Sequence, residues 1–394
     1  MISAALLLPV TVVVLVLLVQ RFGLPIFLAL MAVAAGYGIA AEMTFQSIGR
    51  AFGLGFATAL EQVGLLVVAG ALAGMLAIRQ PLSAPMAGAA GILAGLGATA
   101  AGGLALLQPA GQGAPRRAIG LAMTLLIVQA LVVPSPLAVA AASVMRADLG
   151  TAVFVAVPAA TLATALVWLL VCRGDAPRGT LSIAWLAIAI PIALLVLQSV
   201  AQMPSEPLGK GGAREFYTGI SRPLILAVLA IGLALVLSRR WQPDVLADTR
   251  WAPLLLTVGA AGGFARMLDE TGMAELLAEQ IADPRLGLLA PFLAAATVKT
   301  LQGNSLSAVL TASGIVEPML PALGLDTPTG RALAAASAGA GSIAICHVND
   351  PFFWIAAHMA NLSPLRALRA VSIGSLAVAV AAFLVLVMLR LVLS

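Results

Sequence analysis

Long apolar runs recur along this chain, each closed off by Gly, Pro or a charged residue. They predict membrane helices near residues 2–19, 22–41, 57–78, 117–133, 151–172, 181–200, 221–238, 251–265, 330–346 and 370–393. A span needs about 20 apolar residues to cover a hydrocarbon core of about 30 Å, so the chain accommodates roughly ten to twelve membrane segments. Less regular stretches near 86–110, 134–148, 286–323 and 347–365 carry Gly, Pro, Ser, Asn and Gln at membrane depth. Lipid cannot satisfy bare backbone groups, so these stretches must be covered by protein or line a water-filled cavity. The pattern predicts an all-α polytopic membrane protein.

Composition agrees with the pattern. Of 394 residues, 61% are hydrophobic and 9% charged, far below the roughly one-quarter charged residues of a soluble domain. With a mean hydropathy of +1.08, no stretch is left for a large soluble domain. The first apolar run has no basic residue before it and no small-x-small cleavage site after it, so it reads as a retained span. Cys172 and Cys346 lack metal or redox spacing, which implies neither a disulfide framework nor a metal site.

The net charge of +5 comes from basic residues at segment ends. Topology explains them better than a nucleic-acid partner does. Basic loops at 172–178 and 238–250 are separated by two spans and a polar segment around Glu206, Lys210, Arg214 and Glu215. Both loops are expected on the cytoplasmic face, with the central loop 201–220 outside. The apolar run from Gly64 to Gly74 resembles that from Leu254 to Gly263, and broken stretches follow each. Gly-Ala runs look alike by chance; if the repeat is real, the chain divides into halves at 1–200 and 221–394, with a binding site between them near the midplane.

Two polar constellations stand out. In Lys299-Thr300-Leu301-Gln302-Gly303-Asn304-Ser305-Leu306-Ser307, Gly303 permits a tight turn and Asn304 or Ser305 suits an N-cap. A helix start at membrane depth suits a carboxylate, although the same residues could do no more than turn a hairpin. Lys299 could snorkel toward water or supply a countercharge to an anion. In Cys346-His347-Val348-Asn349-Asp350-Pro351, Asp350 reads as an N-cap with proline at the first helical position. That leaves His347 and Asn349 unexplained. Ionisable groups inside a membrane are costly and mark functional sites by default, and an imidazole can exchange a proton near neutral pH. His358 reads as an interfacial residue, and Glu270 and Glu275 as a solvated face of an amphipathic helix. Walker A, dinucleotide-fingerprint, HExxH and Gly-x-Ser-x-Gly patterns are absent, so active transport would draw on an ion gradient or on a partner subunit.

The two constellations resemble those of the gluconate permease family. Lys299 to Ser305 is similar to that family's Arg-x-x-Gln-Gly-Ser-x-Thr segment, and Gly339-Ala340-Gly341-Ser342 through His347-Val348-Asn349-Asp350 to Phe353-Trp354 is similar to its Gly-x-Gly-Ser and Ser-His-Val-Asn-Asp-x-x-Phe-Trp segment. Gly259 to Phe264, Asp269 to Gly272 and Leu310 to Gly314 follow the same order, so the resemblance covers about residues 250–393. In the first half, Val133-Pro134-Ser135-Pro136 lacks the family's histidine, Gly103 to Gln112 lacks its acidic residue, and Cys346 replaces a serine.

The resemblance implies two inverted repeats with re-entrant hairpins near 86–112 and 286–317, interrupted helices at 134–148 and 342–352, and a homodimer in a bacterial cytoplasmic membrane. It implies import of a small organic anion such as gluconate or another sugar acid, driven by protons, with no cofactor. Substrate contacts would come from Gln302, Gly303, Asn304, Ser305, Lys299 and Asn349, and proton coupling from His347 and Asp350. Gln108 and Ser135 are the first-half candidates. A sodium-coupled carrier using Asn349, Asp350 and Asn304 is one rival. A membrane-embedded hydrolase or acyltransferase with His347 and Asp350 as acid and base is another, although it lacks a Ser or Cys nucleophile in a recognised setting apart from Cys346, whose neighbouring position on a helix would not present it to His347.

Overall fold

The computed structural model describes residues 2–78, 82–97, 99–111, 114–171, 182–203, 205–209, 211–238, 251–272, 278–279 and 283–393, and among these it is helical throughout, with no strand. The basic loops 172–178 and 239–250, Cys172, Lys210 and the helix around Glu275 lie outside the described residues.

The first half opens with α1 (Ile2–Phe22) and α2 (Ile26–Ala40), parted at Gly23, whose φ of 67° no helix can hold. Next, α3 (Phe45–Leu76) starts where Thr44 accepts from the Ser47 N–H at 3.1 Å, and runs on through a π-helical turn at Leu60–Gly64. The span expected at 57–78 is thus the second part of a helix that begins twelve residues earlier. After it come α4 (Ala84–Gly95), α5 (Ala100–Leu106) with Thr99 as N-cap, α6 (Pro115–Leu131), α7 (Pro136–Val144) and α8 (Leu149–Val171).

Linking elements are α9 (Leu186–Ala201), α10 (Gly212–Ile220) and α11 (Pro223–Ser238). The second half comprises α12 (Ala252–Asp269), α13 (Leu289–Gln302), α14 (Ser305–Val316), α15 (Pro328–Gly341), α16 (Pro351–Met359) and α17 (Pro364–Leu393), the last with a π-helical turn at Leu368–Ser372. The same succession thus occurs twice: a long helix, two short helices, a helix that breaks before a nine-residue helix, and a final long apolar helix.

Among the described residues, five helices are long and apolar enough to cross a membrane, and α10 with α11, bent by 64°, would make a sixth. Two of the expected spans are shorter: α2 has 15 residues and α15 has 14, the latter about 21 Å at 1.5 Å per residue. Stretches expected to be irregular are instead partly helical. The 134–148 region holds α7, 347–365 holds α16, and 86–110 holds α4 and α5. Each of these helices is too short and too rich in Ala or other apolar residues to show a polar face. Ser135-Pro136 and Asp350-Pro351 start two of them, a cap followed by proline at the first helical position.

The core sits around α6 and α15, which are buried nearly all round, as expected of helices with no solvated or lipid-facing stripe. Small residues allow them to meet: a Cβ on Gly339 would run into the Ala130 carbonyl. α3 and α12 cross in the same way at Gly55 and Gly262. The halves interlock, since α7 packs against α14 and α15, while α16 packs against α5 and α6. At one end Arg331 donates to the Met145 carbonyl at 2.9 Å and pairs with Glu317 and Asp326, and Arg146 lies 3.2 Å from Glu317.

Candidate functional site

Two interruptions meet to form the site. The first is the turn between α13 and α14. Gly303 takes the left-handed conformation, with φ 73° and ψ 2°, and its N–H donates to the Lys299 carbonyl at 2.8 Å, closing α13. Asn304 then caps α14, its Oδ1 accepting from the N–H groups of Leu306 at 2.9 Å and Ser307 at 3.2 Å. The second is the stretch from Ser342 to Asp350 between α15 and α16. There Ile345 has a positive φ of 46°, and the Asp350 Oδ1 accepts from the Phe352 N–H at 2.8 Å to cap α16.

The last carbonyls of a helix have no partner within it and need donors from outside. At the end of α13 those donors come from the second interruption. His347 Nε2 lies 2.6 Å from the Thr300 oxygen, and Asn349 Nδ2 donates to the carbonyls of Thr300 at 3.2 Å and Leu301 at 3.1 Å. Because a carbonyl only accepts, Nε2 carries a proton and the amide orientation of Asn349 is fixed. The opposite atoms, His347 Nδ1 and Asn349 Oδ1, are buried with no hydrogen-bond partner. Asn349 also lies where a side chain at 303 would go, since a Cβ there would stand 2.5 Å from its backbone oxygen and 2.8 Å from Oδ1.

A buried ion pair ties the same two segments together. Lys299 Nζ lies 2.5 Å from Asp350 Oδ2 and 3.1 Å from the Gly303 oxygen. Cys346 Sγ donates to the same carboxylate oxygen at 3.0 Å. Each charge occupies the helix end that favours it, the cation at the C-terminus of α13 and the anion at the N-terminus of α16. The two charges balance each other, so Lys299 reaches the cluster already paired.

From behind, α17 holds the loop. Ser375 Oγ accepts from the Cys346 N–H at 2.9 Å and Ser372 Oγ donates to the Cys346 carbonyl at 2.7 Å. Trp354 Nε1 donates to the Val348 carbonyl at 2.8 Å. Sequence reasoning missed Thr300, Ser372 and Ser375. Thr300 takes part through its backbone, which carries no side-chain signature, and the two serines reach the loop beside a π-helical turn that no pattern announced.

The structure therefore brings Lys299, Gly303, His347, Asn349 and Asp350 together, with Gln302 buried in the last turn of α13. Asn304 is exposed and Ser305 partly exposed at the tip. The first-half candidates serve their own half: Gln108 Nε2 donates to the carbonyls of Ala105 at 2.8 Å and Val67 at 3.2 Å, while Ser135 donates to the Gln129 carbonyl and caps α7. Glu270 pairs with Arg266 at 3.3 Å, and His358 is on the exposed side of α16.

Residues 173–392 match the model of a family described as GntP family permease. The chain is 26% identical over 412 residues to the gluconate permease of Pseudomonas aeruginosa, covering 90% of each. It is 25% identical to the low-affinity gluconate transporter of Escherichia coli K12, covering 88% of this chain and 89% of the relative. It is also 25% identical to the Gnt-II system L-idonate transporter of that organism, covering 87% and 89%. These relatives are transporters, which overturns the reading of His347 and Asp350 as the acid and base of a membrane-embedded hydrolase or acyltransferase.

Proposed function

This chain is a member of the GntP family of permeases, a multi-pass membrane protein and not an enzyme, and from that premise we propose that it imports gluconate or a related sugar acid across a bacterial cytoplasmic membrane together with protons. The observation that carries this reading is the buried polar cluster of Lys299, His347, Asn349 and Asp350 at two helix interruptions. Buried ionisable groups in a membrane are costly, and they occur on substrate and proton routes. The relatives named for gluconate and L-idonate supply the substrate class.

In this reading Gln302, Gly303, Asn304, Ser305 and Asn349 face the substrate. The proton is taken up within the group formed by His347 and Asp350, and Lys299 holds the charge of the Asp350 carboxylate balanced. The twice-occurring helix order fits two inverted repeats whose paired short helices enter the membrane as re-entrant hairpins, and the protein works as a homodimer. Substrate and proton each shift the exchange between outward and inward access by their differential affinity for the two states.

Uptake of labelled gluconate into proteoliposomes tests this, with a proton gradient, a sodium gradient or neither imposed in separate arms. Accumulation under the proton gradient alone is expected. Accumulation under sodium alone would transfer the coupling role to a cation held by Asn349 and its neighbours, and equal uptake in all arms would remove coupled transport altogether.

A further inference from the structure

We propose that His347 Nδ1 and Asn349 Oδ1 together read the carboxyl group and the adjacent hydroxyl of a 2-hydroxy acid, and that the coupled proton lies between Nδ1 and that carboxyl while the Lys299–Asp350 pair stays closed. The proposal rests on the transport reading above and deepens it. It begins from two atoms with nothing to bond. His347 is 4% exposed and Asn349 0% exposed, and their inner atoms are donor-bonded to the carbonyls at the end of α13. The outer atoms, Nδ1 and Oδ1, have no partner, and a buried polar atom left so costs about 1–3 kcal/mol. Both side chains meet the Thr300 oxygen, and the Asn349 Oδ1 lies 2.8 Å from where a Cβ on Gly303 would stand; a ligand at the hairpin tip would bridge the two free ends.

The state of these atoms dictates what can bind. With Nε2 protonated, a neutral imidazole presents Nδ1 as an acceptor, and the fixed amide presents Oδ1 as an acceptor. A carboxylate alone has no hydrogen to offer Nδ1. A carboxylate with one proton does, either as O–H to Nδ1 or as carboxylate facing Nδ1–H. One proton leaves water and one N–H or O–H bond forms. The acid contributes one negative charge and the proton one positive charge, so the site is neutral before and after, and no bond of the acid's carbon skeleton changes. Oδ1 requires a donor, which a hydroxyl supplies and a keto oxygen does not.

The neighbouring charged groups do not take the proton's place. Lys299 from α13 and Asp350 from the loop are the charges that act on His347. The ammonium already donates to Asp350 and to the Gly303 oxygen, and the carboxylate accepts from Lys299, the Cys346 thiol and the Phe352 N–H. Protonating Asp350 would strand the Lys299 cation in a buried place. From α17 the loop meets the hydroxyls of Ser372 and Ser375.

The test uses the full chain in lipid nanodiscs with nitrogen-15 histidine. The chain holds two histidines, and His358→Gln leaves His347 as the sole labelled ring. Without ligand, the ring should be neutral with its proton on Nε2. Saturating D-gluconate should move the Nδ1 signal to a protonated or strongly hydrogen-bonded position. By thermal shift, 2-deoxy-D-gluconate, which lacks the hydroxyl beside the carboxyl, should bind at least about tenfold more weakly than D-gluconate, as expected when a buried acceptor loses its donor. His347→Gln keeps an amide N–H for the Thr300 oxygen but removes Nδ1, so it should melt like the parent and lose proton-driven accumulation of gluconate by at least about tenfold.

A ligand-free ring with its proton on Nδ1, an Nδ1 signal unmoved by bound gluconate, equal binding of the two acids, or parent-like accumulation by His347→Gln would each overturn the proposal alone. A parent whose melting no sugar acid shifts would overturn the transport reading itself, and this proposal with it.

Discussion

The ammonium of Lys299 and the carboxylate of Asp350 lie 2.5 Å apart, with side chains 1% and 8% exposed, and they join the end of one helix to the start of another 51 residues later. Removing one partner leaves the other charge buried alone, which typically costs about 3–5 kcal/mol, whereas removing both costs far less. Lys299→Met and Asp350→Asn should each lower the melting temperature of the purified protein sharply, and the double variant should recover much of the loss. If the double variant melts at the sum of the two single losses, the pair is not coupled and its role as a neutral unit fails.

Gly303 is constrained twice. Its φ of 73° lies in the left-handed region, which costs other residues about 1–2 kcal/mol. In addition, a Cβ would stand 2.5 Å from the Asn349 backbone oxygen and 2.7 Å from its side-chain Cγ. Gly303→Ala should therefore destabilise by about 2 kcal/mol or more and displace Asn349 from the carbonyls of Thr300 and Leu301. A parallel loss of gluconate binding in thermal-shift titration is expected. A variant that binds and melts like the parent would show that the hairpin tip and the loop are not in contact.

These two relationships mark how far the chain could be read before its structure was known. The turn at Gly303, the Asn304 cap and the Asp350-Pro351 helix start were all legible, because each is a local choice among neighbouring residues. Lys299 read as a snorkelling residue or an anion's countercharge and Asp350 as a cap and proton-coupling group, but their pairing depends on how two distant interruptions pack. His347 was singled out for proton coupling and Asn349 for substrate contact. What could not be foreseen is that half of each side chain closes the end of α13, since a carbonyl in need of a donor looks the same at every residue. The helix α7 was read as part of an irregular stretch because nine residues, mostly apolar, show no face. The family pattern supplied the transport class, while the geometry showed which atoms of the motif are already in use.

Asp148 offers a pH-dependent handle outside the membrane-spanning helices. Its Oδ2 accepts from the Thr151 N–H at 2.8 Å and the Thr151 hydroxyl at 2.9 Å, at the start of α8. These bonds, the backbone one first, hold its carboxyl below the usual aspartate range. A carboxylate with a lowered folded-state pKa contributes stability that is present above its unfolded value, about 3.9, and is lost as pH falls through the folded value. Asp148→Ala should therefore melt below the parent at pH 7, and the gap should close as the pH is lowered through and beyond about 3.9. A gap that stays constant across that range would mean the side chain acts by packing and not as a charged cap.

The crossing of α3 and α12 gives a paired test of close helix approach. A Cβ on Gly262 would collide with the Cβ of Ala59 and stand 2.7 Å from the Gly55 oxygen, whereas a Cβ on Gly53, two residues from Gly55 on the same helix, would meet nothing within 4 Å. Membrane helices associate by packing, and small residues let their backbones approach. Gly262→Ala forces the helices apart, or the surrounding side chains out of their rotamers, at about 1–3 kcal/mol. Gly53→Ala adds a better helix former to an open face, with a gain of up to about 1 kcal/mol. The first variant should lower the melting temperature and the yield of monodisperse protein in detergent, and the second should leave both unchanged or raised. If Gly53→Ala is the more damaging of the two, the open face of α3 is covered in the membrane, and the α3–α12 contact is not what fixes the two halves against each other.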